Sequence, residues 1–301
     1  MTGMDPELEA FVPLLPRQDL GDPAAARERY SAYAASKPAP DTTGMEIEDR
    51  MVPADPEVPV RVYRPQGARG AVVWMHGGAR VMGGLDTEHP WAGRIAAASG
   101  AVVVSVGYRL APEHRFPAAL EDAYAALEWT AEHASELGVD PARIAVGGHS
   151  SGGNLAAAVA LWARDHDGPP ICFQLLNEAS LDDRLETWSA RNFTDTPWAT
   201  RANVAASWRH YLGSRTATQY AAPSRAADLS GLPPAYVATA EFDPNRDEDI
   251  AYAVRLLQAG VSVELHQWPG TFHGSQAILS ADVSQRQLAR LGEVLRRALA
   301  D

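Results

Sequence analysis

The stretch Gly148-His149-Ser150-Ser151-Gly152 holds a serine between two glycines, directly after the apolar run Arg143–Val146 and directly before an alanine-rich helical pattern. Gly-x-Ser-x-Gly at a strand-to-helix switch forms a turn too tight for side chains beside the serine, which raises the Ser150 hydroxyl above the sheet edge. A serine hydroxyl is a weak nucleophile and needs a base to take its proton. The base needs a carboxylate to orient it, and a developing oxyanion needs N–H donors fixed in advance. The five-residue pattern alone is only suggestive, so its setting and its partners decide the reading.

Loops that follow parallel strands reach one sheet edge, and in this kind of site the chain order is serine, carboxylate, histidine. Nine histidines compete for the base. His273, in the Gly-flanked stretch Trp268–Gly274 after the apolar run Val261–His266, stands where that order requires it. His266 falls within the run itself; His133, His166 and His210 lie on segments expected to be exposed; His89 and His114 come too early. His149 beside Ser150 is expected behind the site or along its lining. For the carboxylate, Asp243-Pro244 turns immediately off the run Ala235–Ala240, with Glu241 as second choice. Asp247–Asp249 read as charges at the start of the next helix, favoured by its dipole. Met75-His76-Gly77-Gly78-Ala79 closes another apolar run. Its small residues let the backbone approach a substrate oxygen, so Gly77, Gly78 and Ala79, with Ser151 after the serine, are the candidate oxyanion set.

The elements that would position these residues are legible in outline. Ala71–Met75, Val102–Val106, Arg143–Val146, Ile171–Leu176, Ala235–Ala240 and Val261–His266 are short apolar runs, as expected of strands covered on both faces. Helical spacing recurs between them, at Phe116, Leu120, Tyr124, Leu127 and Ala131, then at Ile250, Val254 and Leu257, and finally at Leu288, Leu291 and Leu295. Met45–Met51 and Val58–Tyr63 alternate around a Pro/Asp turn and predict an edge hairpin. Strands alternating with helices predict an α/β fold with a mostly parallel central sheet. Residues 181–215 break the rhythm with Trp188, Phe193, Trp198 and Trp208, and are too long for a plain connection. They predict an inserted cap over the carboxyl edge of the sheet, completed by residues 1–43, with residues 44–180 and 216–301 forming the catalytic domain.

Composition excludes several classes. The 301 residues carry a net charge of −12, against a nucleic-acid partner, and have no basic run for a membrane surface. The acidic start lacks the apolar stretch of a secretory signal, and no run of about 18 apolar residues exists to cross a bilayer. The one cysteine, Cys172, has no internal partner and is expected in the core. A cytoplasmic protein without a membrane partner is expected, with a homodimer left open.

Four segments then carry a resemblance: His76-Gly77-Gly78-Ala79; Tyr108-Arg109-Leu110-Ala111-Pro112-Glu113-His114; Gly148-His149-Ser150-Ser151-Gly152-Gly153-Asn154-Leu155; and Asp243-Pro244-Asn245-Arg246-Asp247-Glu248 with Phe272-His273-Gly274. The chain resembles the hormone-sensitive-lipase family of α/β-hydrolase carboxylesterases. Leu181-Asp182-Asp183-Arg184-Leu185-Glu186-Thr187 and Gly270–Ser275 make it most similar to the bacterial heroin-esterase group. The resemblance implies an α/β-hydrolase fold with a helical cap, the triad Ser150, Asp243 and His273, and hydrolysis of small-molecule esters with a short acyl group. It implies no cofactor and no metal. It also marks departures. Ala79 and Arg80 stand where the family has glycine and an apolar residue, His149 and Ser151 where it has a small polar residue and alanine, and Asn177-Glu178-Ala179-Ser180 where it has a proline. Ala79 is expected to keep its N–H available at φ < 0 or by a slight shift of the loop. Arg80 brings a fixed charge that would favour acidic or aromatic esters. Arg80, His149, Trp188, Phe193, Trp198 and Trp208 are therefore the candidate substrate contacts. An amidase or peptidase with the same triad and a non-catalytic small-molecule receptor on the same fold are the competing readings; the presence of His273 argues against the receptor.

Overall fold

The computed structural model describes residues 3–16 and 18–300; residues 1, 2, 17 and 301, which belong to the spans assigned above to the cap and the catalytic domain, lie outside the described residues. Two helices come first, α1 (Pro6–Glu9) and α2 (Pro23–Ala35), followed by β1 (Met45–Val52) and β2 (Val58–Pro65). Strand and helix then alternate through β3 (Ala71–Met75), α3 (Leu85–Ser99), β4 (Val102–Val106), α4 (Ala118–Glu132), α5 (Ala134–Leu137), β5 (Ile144–His149), α6 (Ser151–Asp165) and β6 (Phe173–Asn177). The inserted stretch supplies α7 (Trp188–Asn192) and α8 (Arg201–Leu212), and β7 (Ala235–Phe242), α9 (Arg246–Gln258), β8 (Val263–Phe272) and α10 (Asp282–Ala298) complete the chain.

The strands form one eight-stranded sheet in the order β1-β2-β4-β3-β5-β6-β7-β8. β2 runs antiparallel to both of its neighbours, and every other pairing is parallel. Both faces are buried. Along β3, Ala71, Val73 and Met75 enter the core cluster on one face, while Val72 and Trp74 enter the cluster on the other. This is the alternation a strand imposes on its side chains, and it explains why the sequence shows an unbroken apolar run. Among the described residues no helix is long and apolar enough to cross a membrane.

The chain leaves β3 toward β4 on one side and leaves β5 toward β6 on the other. The loops after β3 and β5 therefore diverge at the point where the strand order reverses, which is where open α/β sheets leave a crevice. N-terminal residues and the inserted stretch meet above that crevice. Tyr30 and Tyr33 of α2 pack against Trp198, with ring centroids 6.5 and 4.7 Å apart. His210 of α8 bonds the carbonyl of Leu20, and Asn203 bonds that of Gln18. The insertion is moored from below by α9. Glu248 accepts the N–H groups of Leu181 and Asp182 at 2.6 and 3.1 Å, and Asp247 accepts that of Ser189 at 2.8 Å. These acidic residues are therefore tethers between segments and not merely dipole-favoured charges. Two further expectations are corrected. β8 continues to Phe272, so Trp268–Phe272 is strand and not loop, and Cys172 is half-buried ahead of β6.

Gly152, in the first turn of α6, lies so close to the end of β3 that a Cβ there would sit 1.9 Å from the Met75 carbonyl oxygen. Gly152→Ala is expected to force helix and strand apart and to cost about 3 kcal/mol of stability, the upper range for overpacking; urea denaturation of the two proteins measures it.

Candidate active site

The sheet register brings the chemistry-bearing residues to one place. Met75 pairs with Gly148, so the loop from His76 and the turn at Ser150 leave adjacent strands together. His149 pairs with Asn177, placing Glu178 beside Ser150 at the same edge. Phe242 pairs with Phe272 beyond an irregularity at Ala240, so Asp243 and His273 are the next residues on each strand and leave the sheet side by side.

Ser150 has φ 56° and ψ −119°, the left-handed region for a residue with a side chain. Such backbone costs about 1–3 kcal/mol and persists only where its surroundings hold it. Here its N–H donates to the Asn177 carbonyl at 2.9 Å, and its own carbonyl accepts from Asn154 in α6 at 3.1 Å. A Cβ on Gly148 would meet the Met75 carbonyl oxygen at 2.5 Å, so the turn requires glycine. The Ser150 hydroxyl lies 2.9 Å from His273 Nε2. On the other side of the ring, Nδ1 lies 2.6 Å from Asp243 Oδ2. Asp243 is fully buried, and its second oxygen accepts the N–H of Asn245 at 2.9 Å.

The Gly78 and Ala79 N–H groups donate to no backbone carbonyl among the described residues, and the Ser151 N–H opens α6, where helical geometry leaves it without an internal acceptor. Gly78 has φ 116°, and Ala79 and Arg80 each have φ 60°. Of the two ways expected for Ala79 to keep its N–H available, a negative φ is therefore not the one adopted. The loop is pinned in this strained form by bonds from Val81 and Met82 to the Gly78 carbonyl at 3.0 and 2.8 Å. The Ser207 hydroxyl adds a bond to the Ala79 carbonyl at 2.8 Å.

Arg80 borders the space that holds Ser150, but its guanidinium is enclosed by protein. It is fully buried, its guanidinium lies 4.1 Å from the Trp208 ring and 4.7 Å from that of Tyr211, and it donates to Ser207 at 3.1 Å. It ties the oxyanion-side loop to α8. Trp208 is therefore a packing partner of Arg80 and not a substrate contact. Trp188 is 61 % exposed and meets Phe193 edge-on, and Phe193 packs on Phe242, so neither reaches the crevice. Of the four aromatic residues proposed from the insertion, Trp198 alone lines it.

Two spaces adjoin one another, and the smaller contains Ser150 in its wall. A hollow of about 70 Å³ runs past Gly78, Ala79, Ser151, Val204 and Ser207. A cavity of about 330 Å³ lies toward Gly274, Gln276, Tyr33 and Trp91. Tyr30, His149 and Trp198 border both.

A family profile described as the alpha/beta hydrolase fold matches residues 72–277. The chain belongs to the alpha/beta hydrolase family. It is 46% identical over 241 residues to carboxylesterase NlhH of Mycobacterium tuberculosis, covering 76% of this chain and 75% of that protein. It is 32% identical over 300 residues to an arylesterase of Saccharolobus solfataricus, covering 95% of each. The solved structure of a bacterial heroin esterase superposes with a TM-score of 0.94 at 45% identity, over 99% of both chains.

In this hydrolase, sequence reasoning missed Glu178. It is fully buried, and its Oε2 accepts the Gly274 N–H at 2.7 Å, lies 3.2 Å from His149 Nε2 and 3.9 Å from His273 Nδ1. The signal was available, since a carboxylate immediately after a parallel strand is the same criterion that singled out Asp243. His149 is held behind the His273 ring, centroids 5.3 Å apart, by that carboxylate. His149, Glu178 and His273 bring ligand-capable atoms within 4.8 Å of one another, but both His273 nitrogens are engaged with Ser150 and Asp243, so a metal would have to displace those bonds.

Burial opposes a charge on His273, yet the Asp243 charge and hydrogen bond, joined by the Glu178 charge, outweigh it and raise its pKa to about 9. A base must be unprotonated to accept a proton. Ester kcat/KM is therefore expected to rise with pH toward a limb near 9. Glu178→Gln removes one of the charges that raise this pKa, and should move the limb to lower pH in a pH–rate profile.

Proposed function

We propose that this carboxylic ester hydrolase works through an acyl-enzyme on Ser150. The continuous chain from Ser150 through His273 to Asp243, at 2.9 and 2.6 Å, carries the reading. His273 Nε2 takes the Ser150 proton as the hydroxyl oxygen attacks the ester carbonyl. Asp243 holds the ring and stabilises its charged form. The N–H groups of Gly78, Ala79 and Ser151 receive the oxyanion, with Gly77 shaping the loop so that its backbone can approach the ester's carbonyl oxygen. His273 then returns the proton to the departing alcohol, and water attacks the acyl-enzyme with the same base.

The need for that second proton transfer orients the substrate. The alcohol must lie on the His273 side, where the residues following it, Gly274 and Gln276, border the larger cavity. The acyl group then enters the smaller hollow, whose size and floor by Ser207 and Val204 suit a short chain. Residues 3–43 and 181–215 act as the cap, since Tyr30 and Trp198 border both spaces. A cytoplasmic setting fits a chain whose one cysteine has no internal partner.

Ser150→Ala is expected to lower kcat on p-nitrophenyl acetate by about 10⁴-fold or more while leaving the fold intact, because a triad acts as a unit. Circular dichroism checks the fold, and the reading is lost if turnover survives in a folded variant.

A further inference from the structure

We propose that the larger cavity selects esters whose alcohol part carries a carboxylate, and that Lys37 is the residue that recognises it. This rests on the orientation just given, with the alcohol on the His273 side.

Lys37 is the single lysine of a chain with 26 Lys and Arg residues. A lysine ammonium is a compact, mobile point charge, unlike the planar fork that arginine supplies elsewhere in the fold. It follows α2 and borders the cavity, with its ammonium 3.8 Å from the Tyr33 ring centroid. Tyr33 in turn packs at a tilt against Trp198, with ring centroids 4.7 Å apart, and Trp198 borders both spaces. From the space that holds Ser150 toward Lys37 the wall is thus Trp198, Tyr33 and the ammonium in succession.

The charges around the cavity leave this ammonium unneutralised. Among the described residues Lys37 has no ion pair with a carboxylate. Arg94 of α3 also borders the cavity, and its guanidinium is spent on the carbonyls of Pro90, Pro38 and Ala39, which do not cancel its charge. Among the described residues the one acidic residue on the lining is Glu88. One of its oxygens accepts the Trp74 indole N–H at 2.7 Å, and burial raises its pKa to about 8, which weakens its negative charge near neutral pH. In a chain of net charge −12, the cavity is thus lined by two cationic side chains, Lys37 and Arg94, against one carboxyl group among the described residues. Solvent screening confines the opposing field of the remote acids to about a Debye length, ~8 Å at physiological salt. Tyr30, Tyr33, Trp91 and Trp198 give flat apolar walls that suit an aromatic alcohol part, with its carboxylate at the Lys37 end.

A lysine just past a helix end also complements the helix dipole. That role predicts a change in stability and none in substrate choice, so the test reads a ratio. The ratio is kcat/KM for 4-acetoxybenzoate over kcat/KM for its uncharged isostere 4-acetoxybenzamide, measured in the parent, Lys37→Met and Lys37→Arg. The parent ratio is expected to be about tenfold, to fall toward about one in Lys37→Met, to be largely kept in Lys37→Arg, and to shrink between 0.05 and 0.5 M NaCl, as a charge contact does. A parent ratio at or below one, or a ratio that Lys37→Met leaves unchanged, overturns the proposal. Hydrolysis of 4-acetoxybenzamide that disappears in Ser150→Ala keeps the acyl-enzyme reading standing in either case, so the two can fail separately.

Discussion

The site depends on how closely α6 approaches the end of β3. Gly152 and Gly148 give up side chains at the two points where a Cβ would strike the Met75 carbonyl. In exchange, the Ser150 turn and the loop from His76 to Met82 come within reach of one substrate atom. The strain at Ser150, Ala79 and Arg80 follows from the same crowding. It is tolerated because α6, β6 and α8 each contribute a hydrogen bond that holds one of these residues or its neighbour. A looser junction would relax the backbone and lose the common focus of hydroxyl, base and N–H donors.

The residues that sit at strand ends were legible from the sequence, because chain order and sheet topology leave little freedom there. Ser150, Asp243 and His273 each follow a strand, and pairing of neighbouring strands brings them together. The inserted segment was less legible. An aromatic residue on a helix of unknown orientation serves packing or ligand equally well, so Trp188, Phe193 and Trp208 could not be separated from Trp198 without the contacts to Phe242 and Arg80. Arg80 misled for a related reason: arginine adjoining a reaction centre reads as a substrate charge, whereas two ring faces remove it from solvent. Glu178 went unread because its neighbours were judged as departures from a familiar pattern and not as occupants of a strand end. The charge proposed for the alcohol side was equally hidden, since Lys37 lies far in sequence from the strand ends and comes to the cavity through packing of α2 on Trp198.

Electrostatically the site is asymmetric. Behind His273 lie several buried acids, of which Glu248 and Asp249 are pushed well above the usual carboxylate range, first by burial and then by their acidic neighbours. Asp243 and Glu178 raise the basicity of the histidine. Ahead of the serine, the loop side presents N–H dipoles and the clamped Arg80. Negative charge thus accumulates where the imidazolium forms and positive character where the oxyanion forms, so the charge separation of the transition state meets an environment already arranged for it.

The clamp at Arg80 has a consequence for how such a protein can diverge. The helix that walls the acyl hollow and the loop that would steady the oxyanion share one buried cation, with Ser207 bonded to both of its neighbouring groups. A substitution on α8 that enlarges the hollow also disturbs the ring stack and, through it, the loop. Acyl-chain preference and turnover are therefore mechanically linked on this side, whereas the alcohol side, built from α2 and α3, is free to drift. New substrates should be gained most readily by changing what leaves, not what stays attached to the serine.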